Sequence, residues 1–533
     1  MALPRNSAYL AMPSPNSITT TTGSLHTQSK SSTWLRPTGP TPPATMTRSL
    51  VVDLHNSASF PTLAVGILLG ALREAGHQVE LLSPLAHDVV ILQREHRETF
   101  WDDWKRRLHL SRRPILRPLR NWARKLQARG QGRPHPRTLQ ETARALESKP
   151  DVLLLSAYLR HYPTVMEIGR LAQEANVPIL LGGPVFNLTE TANQWLSIPG
   201  LTAIVGAEVD RSLPAIIEAV VNQEDLLQFP GVTLPDGRTS GVAPPLRALD
   251  RGPIPDFSDF PWDRYPVRVI PILAARGCQW GRCTFCSDVV TTAGRTFRTR
   301  PWKAVLHEMT ELAERNGTKN FQFMDLKLNS DPIQMRGLIQ NIQAHIPGAR
   351  WIAAVHVDER DDSGLSASEL KAAATAGMRR ISFGLESGSQ RLLDQMDKGC
   401  RVEINSQFIH DAHAAGLSVR CTMFRGYPGE TAEDLMQTAD FLEKHALMID
   451  RVRFNEFTIH VGTPIHQVLN ESPTDLPELE VLEHDPLNAR LTVRSAERLS
   501  GDYHRALARA LRAVYQINRQ ALRPEAAAFD GLM

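Results

Sequence analysis

Three of the chain's five cysteines fall within nine residues. They occur in Arg276-Gly-Cys278-Gln-Trp-Gly-Arg-Cys283-Thr-Phe-Cys286, a C-x4-C-x2-C pattern. Three thiolates at this spacing can hold three irons of a [4Fe–4S] cluster and leave the fourth iron without a protein ligand, open to a chelating substrate. The alternative is zinc, which takes four ligands in a closed tetrahedron. The next histidine is His307 and the nearest spare carboxylate is Asp288, so the donor set favours iron. Gly277 and Gly281 let such a loop wrap closely around a cluster. Cys400 and Cys421 stand alone, and no cysteine precedes Cys278. A compact thiol cluster without a disulfide framework points to a reducing compartment, and a cytoplasmic location is expected.

Other residue types stand where chemistry could use them. Glu386 closes an apolar strand-like run, and a carboxylate there needs a polar partner. Asp325 closes another, where a loop cap is an equally good reading. From Arg94 to Arg137 there are fourteen Lys or Arg against four Asp or Glu, in a chain of net charge +3, so the remainder is net acidic. Trp101, Trp104 and Trp122 lie among these cations. Such a segment could bind RNA or an acidic peptide, but solvated helices account for it and no nucleic-acid partner is expected.

The elements that must position these residues are α/β units. The 533-residue chain has an ordinary apolar fraction of 42%, and its longest nearly uninterrupted apolar stretch, residues 61–72, is too short to span a membrane. Residues 1–47 lack Asp and Glu, are rich in Ser, Thr and Pro, and are expected to be disordered. Over 48–222, strand-like runs at 50–54, 79–82, 152–156, 179–181 and 203–205 alternate with helical patterns, the signature of a doubly wound parallel sheet interrupted by the basic insertion at about 94–137. Ligands of such sheets bind at the carboxyl ends of strands. Those ends carry His55, Ser156-Ala-Tyr158, Gly182-Gly183-Pro184 and Gly206-Ala-Glu208. A linker is expected at 223–268. Over 269–470, runs at 269–274, 321–325, 351–357, 380–386, 418–424 and 451–457 form six βα units, a partial barrel with chemistry at its strand ends. Capping boxes at Ser366-x-x-Glu369 and Thr431-x-x-Asp434 open two of its helices. The region 471–533 is expected to be mostly helical.

The thiol motif followed by six βα units resembles the radical S-adenosylmethionine enzymes, most of which use C-x3-C-x2-C. The extra residue here is a departure that bears on the path of the loop. The resemblance implies that the open iron chelates S-adenosylmethionine, whose reductive cleavage gives a 5′-deoxyadenosyl radical. It implies that Phe285 lines the adenine pocket, that Glu386-Ser387, within the run ending Lys398-Gly399, contacts the ribose, that Gly426-Tyr-Pro-Gly429-Glu430 turns near the adenine, and that Asp325 lies near the methionyl end. The doubly wound domain before such a barrel resembles that of cobalamin-dependent members. This implies cobalamin contacts at Ser156, Tyr158, Gly182, Gly183, Pro184, Gly206 and Glu208. Asp53-Leu-His55-Asn-Ser-Ala58 is close to the family's D-x-H-x-x-G pattern, in which a carboxylate-oriented histidine ligates cobalt. The final Gly is Ala here. The implied cofactors are a [4Fe–4S] cluster, S-adenosylmethionine and cobalamin. The implied activity is methylation of an unactivated carbon of a natural-product or peptide substrate, with an electron donor such as flavodoxin or ferredoxin. A cobalamin-dependent radical cyclisation or rearrangement is the nearest rival, and a cobalamin sensor or carrier with a structural metal is the reading from another class. A methylthiotransferase would need three further cysteines upstream, and none exists.

Overall fold

A computed structural model describes residues 46–90, 92–95, 97–110, 118, 122, 133–287, 297–472, 476–485 and 487–532. Residues 1–45, most of 111–132 and residue 288 therefore lie outside the described residues. So do the expected amino-terminal disorder, apart from residues 46–47, and much of the basic insertion.

The first sheet comprises β1 (Arg48–Val52), β2 (Gln78–Leu82), β3 (Val152–Ser156), β4 (Ile179–Gly182), β5 (Leu201–Val205) and β6 (Val232–Thr233) in the order β2-β1-β3-β4-β5-β6. All pairings are parallel except the last. β6 falls within the stretch read as linker. Helices Leu63–Glu74 and Tyr162–Ala175 connect β1 to β2 and β3 to β4. The central strands β3 and β4 are buried on both faces, which is why they read as unbroken apolar runs, whereas the edge strand β2 exposes Gln78 and Glu80.

Two short strands, β8 (Ala275–Arg276) and β9 (Arg298–Thr299), flank the thiol loop and pair antiparallel, Ala275 with Thr299 and Arg276 with Arg298. The second sheet holds β7 (Ile270–Ile272), β10 (Asn320–Phe323), β11 (Arg350–Val355), β12 (Met378–Glu386), β13 (Ser418–Arg425) and β14 (Arg451–Glu456). Each strand adds beside its predecessor, in parallel, giving the order β14-β13-β12-β11-β10-β7. This is the open, partial barrel expected of six βα units. Both capping boxes form, with Ser366 and Thr431 accepting from the amides of Glu369 and Asp434. Phe321, Phe323, Trp351 and Phe383 fill the barrel side of a core that continues into one face of the first sheet.

Beyond residue 470 the chain is less helical than its sequence reads. β16 (Leu479–Asp485) and β17 (Arg490–Ser495) form a strand pair joined by β15 (Ile459–His460), and the helix Gly501–Asn518 follows. No helix among the described residues is long and apolar enough to cross a membrane.

Candidate active site at the strand ends

The thiol loop leaves β8 and is fastened to the segment that follows β12. The Thr284 amide donates to the Met396 carbonyl at 3.0 Å. Trp280 Nε1 donates to the Asp397 carbonyl at 2.7 Å, and Arg282 Nε bonds the Asp397 carboxylate at 3.0 Å. The four-residue spacer thus carries an indole that anchors the loop. Trp280 lies flat against Gly399, whose φ is +64° and where any Cβ would collide with the ring. The spacer thus supplies an aromatic anchor to a backbone that only glycine leaves open.

None of the three loop cysteines is in a disulfide; Cys283 is buried and Cys278 and Cys286 are partly so. Burial pushes the Cys283 thiol up to about 12, with the neighbouring thiols adding to the rise and Lys398 opposing it. The thiolate therefore forms against a bound metal rather than in its absence. Three thiols on one loop supply the number and type of ligands for a cluster with one open iron, although in this structure no three His, Cys, Asp or Glu among the described residues stand grouped as a metal site.

Glu386 ends β12 with φ of +57°, a conformation that a non-glycine residue adopts only when its surroundings hold it there. Its Oε1 accepts from Lys398 Nζ at 2.9 Å, and both side chains are buried. Burial disfavours the Lys398 ammonium, but the Glu386 carboxylate outweighs it and holds the lysine above its usual range. This is the polar partner that a carboxylate at a buried strand end requires. Lys398 also lies 5.7 Å from the centre of the Phe285 ring, which packs edge-on against Phe424 at 4.9 Å. At the end of β10, burial and then the Lys398 charge hold the Lys327 ammonium below its usual range. Neither lysine was a candidate from sequence, because a lysine in a loop carries no pattern until its carboxylate and thiol neighbours are known.

Asp325 is committed locally. Its carboxylate accepts from the amides of Ala274 at 3.0 Å and Ala275 at 2.5 Å, bracing the chain as it enters the thiol loop. Burial pushes it up to about 7, against those hydrogen bonds, from an ordinary 3.8. The folded state then holds a proton that the unfolded state releases, so Asp325's contribution to stability is fully present below about pH 4 and declines as pH rises toward about pH 7. Asp325→Asn should flatten this decline, read as the difference between wild-type and variant melting temperatures across that window. Parallel curves would show that Asp325 does not titrate there.

Ser387 Oγ lies 3.2 Å from Thr438 Oγ1 and accepts from the Ser389 amide at 3.1 Å, which fixes the turn after Glu386. Gly426 and Gly429 have φ of +79° and +86°. The Gly426 amide donates to Glu430 at 2.5 Å, and Glu430 accepts from Tyr503 of the carboxyl-terminal helix at 2.6 Å. The turn after β13 is thus held from the far end of the chain.

In the first sheet a mostly apolar cavity of about 330 Å³ opens at the carboxyl ends of β3, β4 and β5. Ser156, Gly182, Gly183, Pro184, Gly206 and Glu208 all line it, whereas His55 and Tyr158 do not. Its size and lining suit a cofactor or small molecule. A Cβ on Gly183 would collide with the Ala157 carbonyl, but one on Gly182 would meet only the Val205 carbonyl at 3.4 Å. Gly183 is therefore needed for packing and Gly182 leaves space.

Glu208 lines the cavity and is also committed to a set of cations. It bonds Arg298 at 2.5 Å and lies 3.2 Å from Arg276, while Asp210 also bonds Arg276. Both strands flanking the thiol loop are clamped to the turn after β5, and these partly buried guanidiniums satisfy the carboxylate. Burial opposes ionisation of Glu208, yet the two arginines hold its carboxyl below the usual range. Glu208, Asp210 and Arg276 also line the cavity, so one ion-pair network borders both sites. The pairing of Asp53 with His55 is absent. Asp53 accepts from the Asn56 amide at 3.1 Å and from Thr62 Oγ1 at 2.9 Å, and the His55 ring faces Arg160 instead. β1 ends at Val52, and the Leu54 amide donates to the Val52 carbonyl at 3.0 Å, so the strand alternation implied by the spacing is lost before His55.

Residues 272–442 match the Radical SAM superfamily. The chain is 24% identical over 322 residues to an uncharacterized methyltransferase from Pyrococcus horikoshii, covering 59% of this chain and 68% of that protein. It is 28% identical over 226 residues to the bacteriochlorophyllide d C-12(1)-methyltransferase of Chlorobaculum tepidum, covering 41% of this chain and 47% of the relative. In fold it is similar to the radical S-adenosylmethionine methyltransferase TsrM from Kitasatospora setae, solved with cobalamin and a [4Fe–4S] cluster bound. There the TM-score is 0.59 at 17% identity, over 91% of this chain and 92% of that one.

Proposed function

We propose that this chain, whose residues 272–442 form a radical SAM domain, is a cobalamin-dependent methyltransferase acting on an unactivated carbon of a small-molecule or peptide substrate. The observation that carries the reading is the adjacency of a thiol loop one ligand short of a [4Fe–4S] cluster's four and a cofactor-sized cavity, bordered by the shared Glu208–Asp210–Arg276–Arg298 network. The fold likeness to TsrM, which has been solved with cobalamin and a cluster, and the methyltransferase relatives support it. TsrM has also been solved with tryptophan as substrate, which supports the small-molecule form of the reading.

Cys278, Cys283 and Cys286 would hold the cluster, Glu386 and the turn at Gly426–Gly429 would hold S-adenosylmethionine, and the cavity at Gly182 would take part of the cobalamin. When bound, the cluster and S-adenosylmethionine supply radical initiation, and cobalamin carries the methyl group. The chain's own residues position and screen. Trp280 and Asp325 fix the two ends of the thiol loop, Lys398 and Lys327 place positive charge beside an anionic cluster, and Glu386 offers its second oxygen to a hydroxyl.

The test is an anaerobic turnover of reconstituted, reduced protein with S-adenosylmethionine and methylcobalamin, with products measured by mass spectrometry. Both 5′-deoxyadenosine and S-adenosylhomocysteine are expected, whereas 5′-deoxyadenosine alone would favour a rearrangement. The cavity assignment has a separate check. Gly182→Leu should fold normally yet bind cobalamin about ten- to a hundredfold more weakly, the cost of overfilling a packed site. Undiminished cobalamin retention after gel filtration would place that cofactor elsewhere.

A further inference from the structure

The loops after β1 and β3 emerge side by side, because those strands pair in parallel. There His55 Nδ1 lies 3.1 Å from Arg160 Nη2. The imidazole is 5.1 Å from the Tyr158 ring, and the Arg160 guanidinium lies 5.8 Å from the centre of that same ring. A guanidinium has donors and no acceptor, so His55 Nδ1 must accept. The ring is neutral at neutral pH, since burial and then the Arg160 charge hold it at about 4. A neutral imidazole whose Nδ1 accepts carries its proton on Nε2, and a protonated nitrogen has no lone pair for a metal.

A metal-ligating histidine normally donates its other N–H to a carboxylate or carbonyl, which fixes the tautomer and raises ligand basicity. Around His55 that polarity is reversed. The carboxylate two residues back is 1% exposed. It is occupied by Asn56, Thr62 and the His55 backbone amide. In its place stands a cation that withdraws electron density from the ring.

We infer that His55 is not a cobalt ligand, and that Arg160 is the residue that prevents it by holding the imidazole in the tautomer that presents N–H. This rests on the cobalamin reading above, and it removes the protein nitrogen from the cobalt's axial position. Axial-ligand identity is a main lever on the potential of a macrocyclic metal centre, so the pair would favour reduction of cobalt to the state that takes up a methyl group.

The experiment is electron paramagnetic resonance of cob(II)alamin bound to full-length protein, with the protein uniformly labelled with nitrogen-15 and the cobalamin unlabelled. The expected spectrum shows cobalt hyperfine lines unsplit by any nitrogen. Splitting by nitrogen-15 that disappears in His55→Ala would overturn the inference. Splitting by nitrogen-14 would mean that cobalamin's own base occupies the axial position, which upholds the exclusion of His55 but overturns the consequence drawn for the cobalt potential. Arg160→Glu supplies Nδ1–H with a carboxylate acceptor, and nitrogen-15 splitting is expected to appear in that variant. Its absence, with cobalt still bound, would show that Arg160 does not control ligation. Cobalt content by elemental analysis separates these outcomes from failure of the parent reading, since protein that retains no cobalt would refute the cobalamin assignment itself.

Discussion

Cys286→Ala protein is expected to contain little iron or acid-labile sulfide after reconstitution, and to release no 5′-deoxyadenosine, while its melting temperature before reconstitution stays near that of wild type. Each of the three thiols takes a separate iron, so removing one leaves a cluster with two anchors and no shared ligand to compensate. Neither remaining cysteine can substitute. Cys421 is fully buried within β13, and Cys400 is buried beside Asn405 with its thiol pushed up to about 11. Cys421→Ser is therefore the control that keeps full iron content. Elemental analysis, the visible absorption of the cluster and product quantification read the result together. Wild-type protein that reconstitutes with zinc and takes up no iron would revive the structural-metal reading. Cys286→Ala protein that still cleaves S-adenosylmethionine would show that the open iron lies elsewhere.

Much of the fold could be read from the sequence because the central parallel strands are buried on both faces. An apolar run such as Val152–Ser156 has no competing reading once helical patterns bracket it. The helix starts at Ser366 and Thr431 were legible for a local reason, since a capping box lies within four consecutive residues. What escaped was non-local or solvent-exposed. β8 and β9 are two residues long and meet across more than twenty intervening positions, too little sequence to show periodicity. β16 is exposed along nearly its whole length, and its charged sequence, Leu-Glu-Val-Leu-Glu-His-Asp, has no buried face to mark it as a strand. At the site the same division holds. The three cysteines declare themselves by spacing, and Glu386 by its place at the end of an apolar run. The partners that set their chemistry, Lys398, Lys327, Arg160 and Arg276, are ordinary charged residues whose meaning depends on what faces them. Asp53 and His55 show the converse error, in which adjacency in sequence suggested a contact that the end of the strand at Val52 removes.

The Glu386–Lys398 pair makes the second large prediction, because it joins stability to ligand binding. Lys398 is 3% exposed, and removing the carboxylate it is bonded to leaves a desolvated ammonium without its ion-pair partner. Breaking one side of such a pair costs about 3–5 kcal/mol, much more than the intact pair contributes relative to apolar residues of the same size. Glu386→Ala should therefore lower the denaturant midpoint strongly. It should also weaken S-adenosylmethionine binding by about ten- to a hundredfold, the worth of a hydrogen bond to a charged group. The double variant Glu386→Ala with Lys398→Met separates the two effects. Methionine fills the lysine's volume without its charge, so most of the stability should return while the affinity, measured by equilibrium dialysis against the reconstituted protein, stays low. Recovery of both would mean that Glu386 serves only to neutralise Lys398. The strained backbone at Glu386 argues against that outcome: an ion pair alone could form from an extended strand end, whereas a φ of +57° at a non-glycine residue is the kind of strain that folds retain at binding sites.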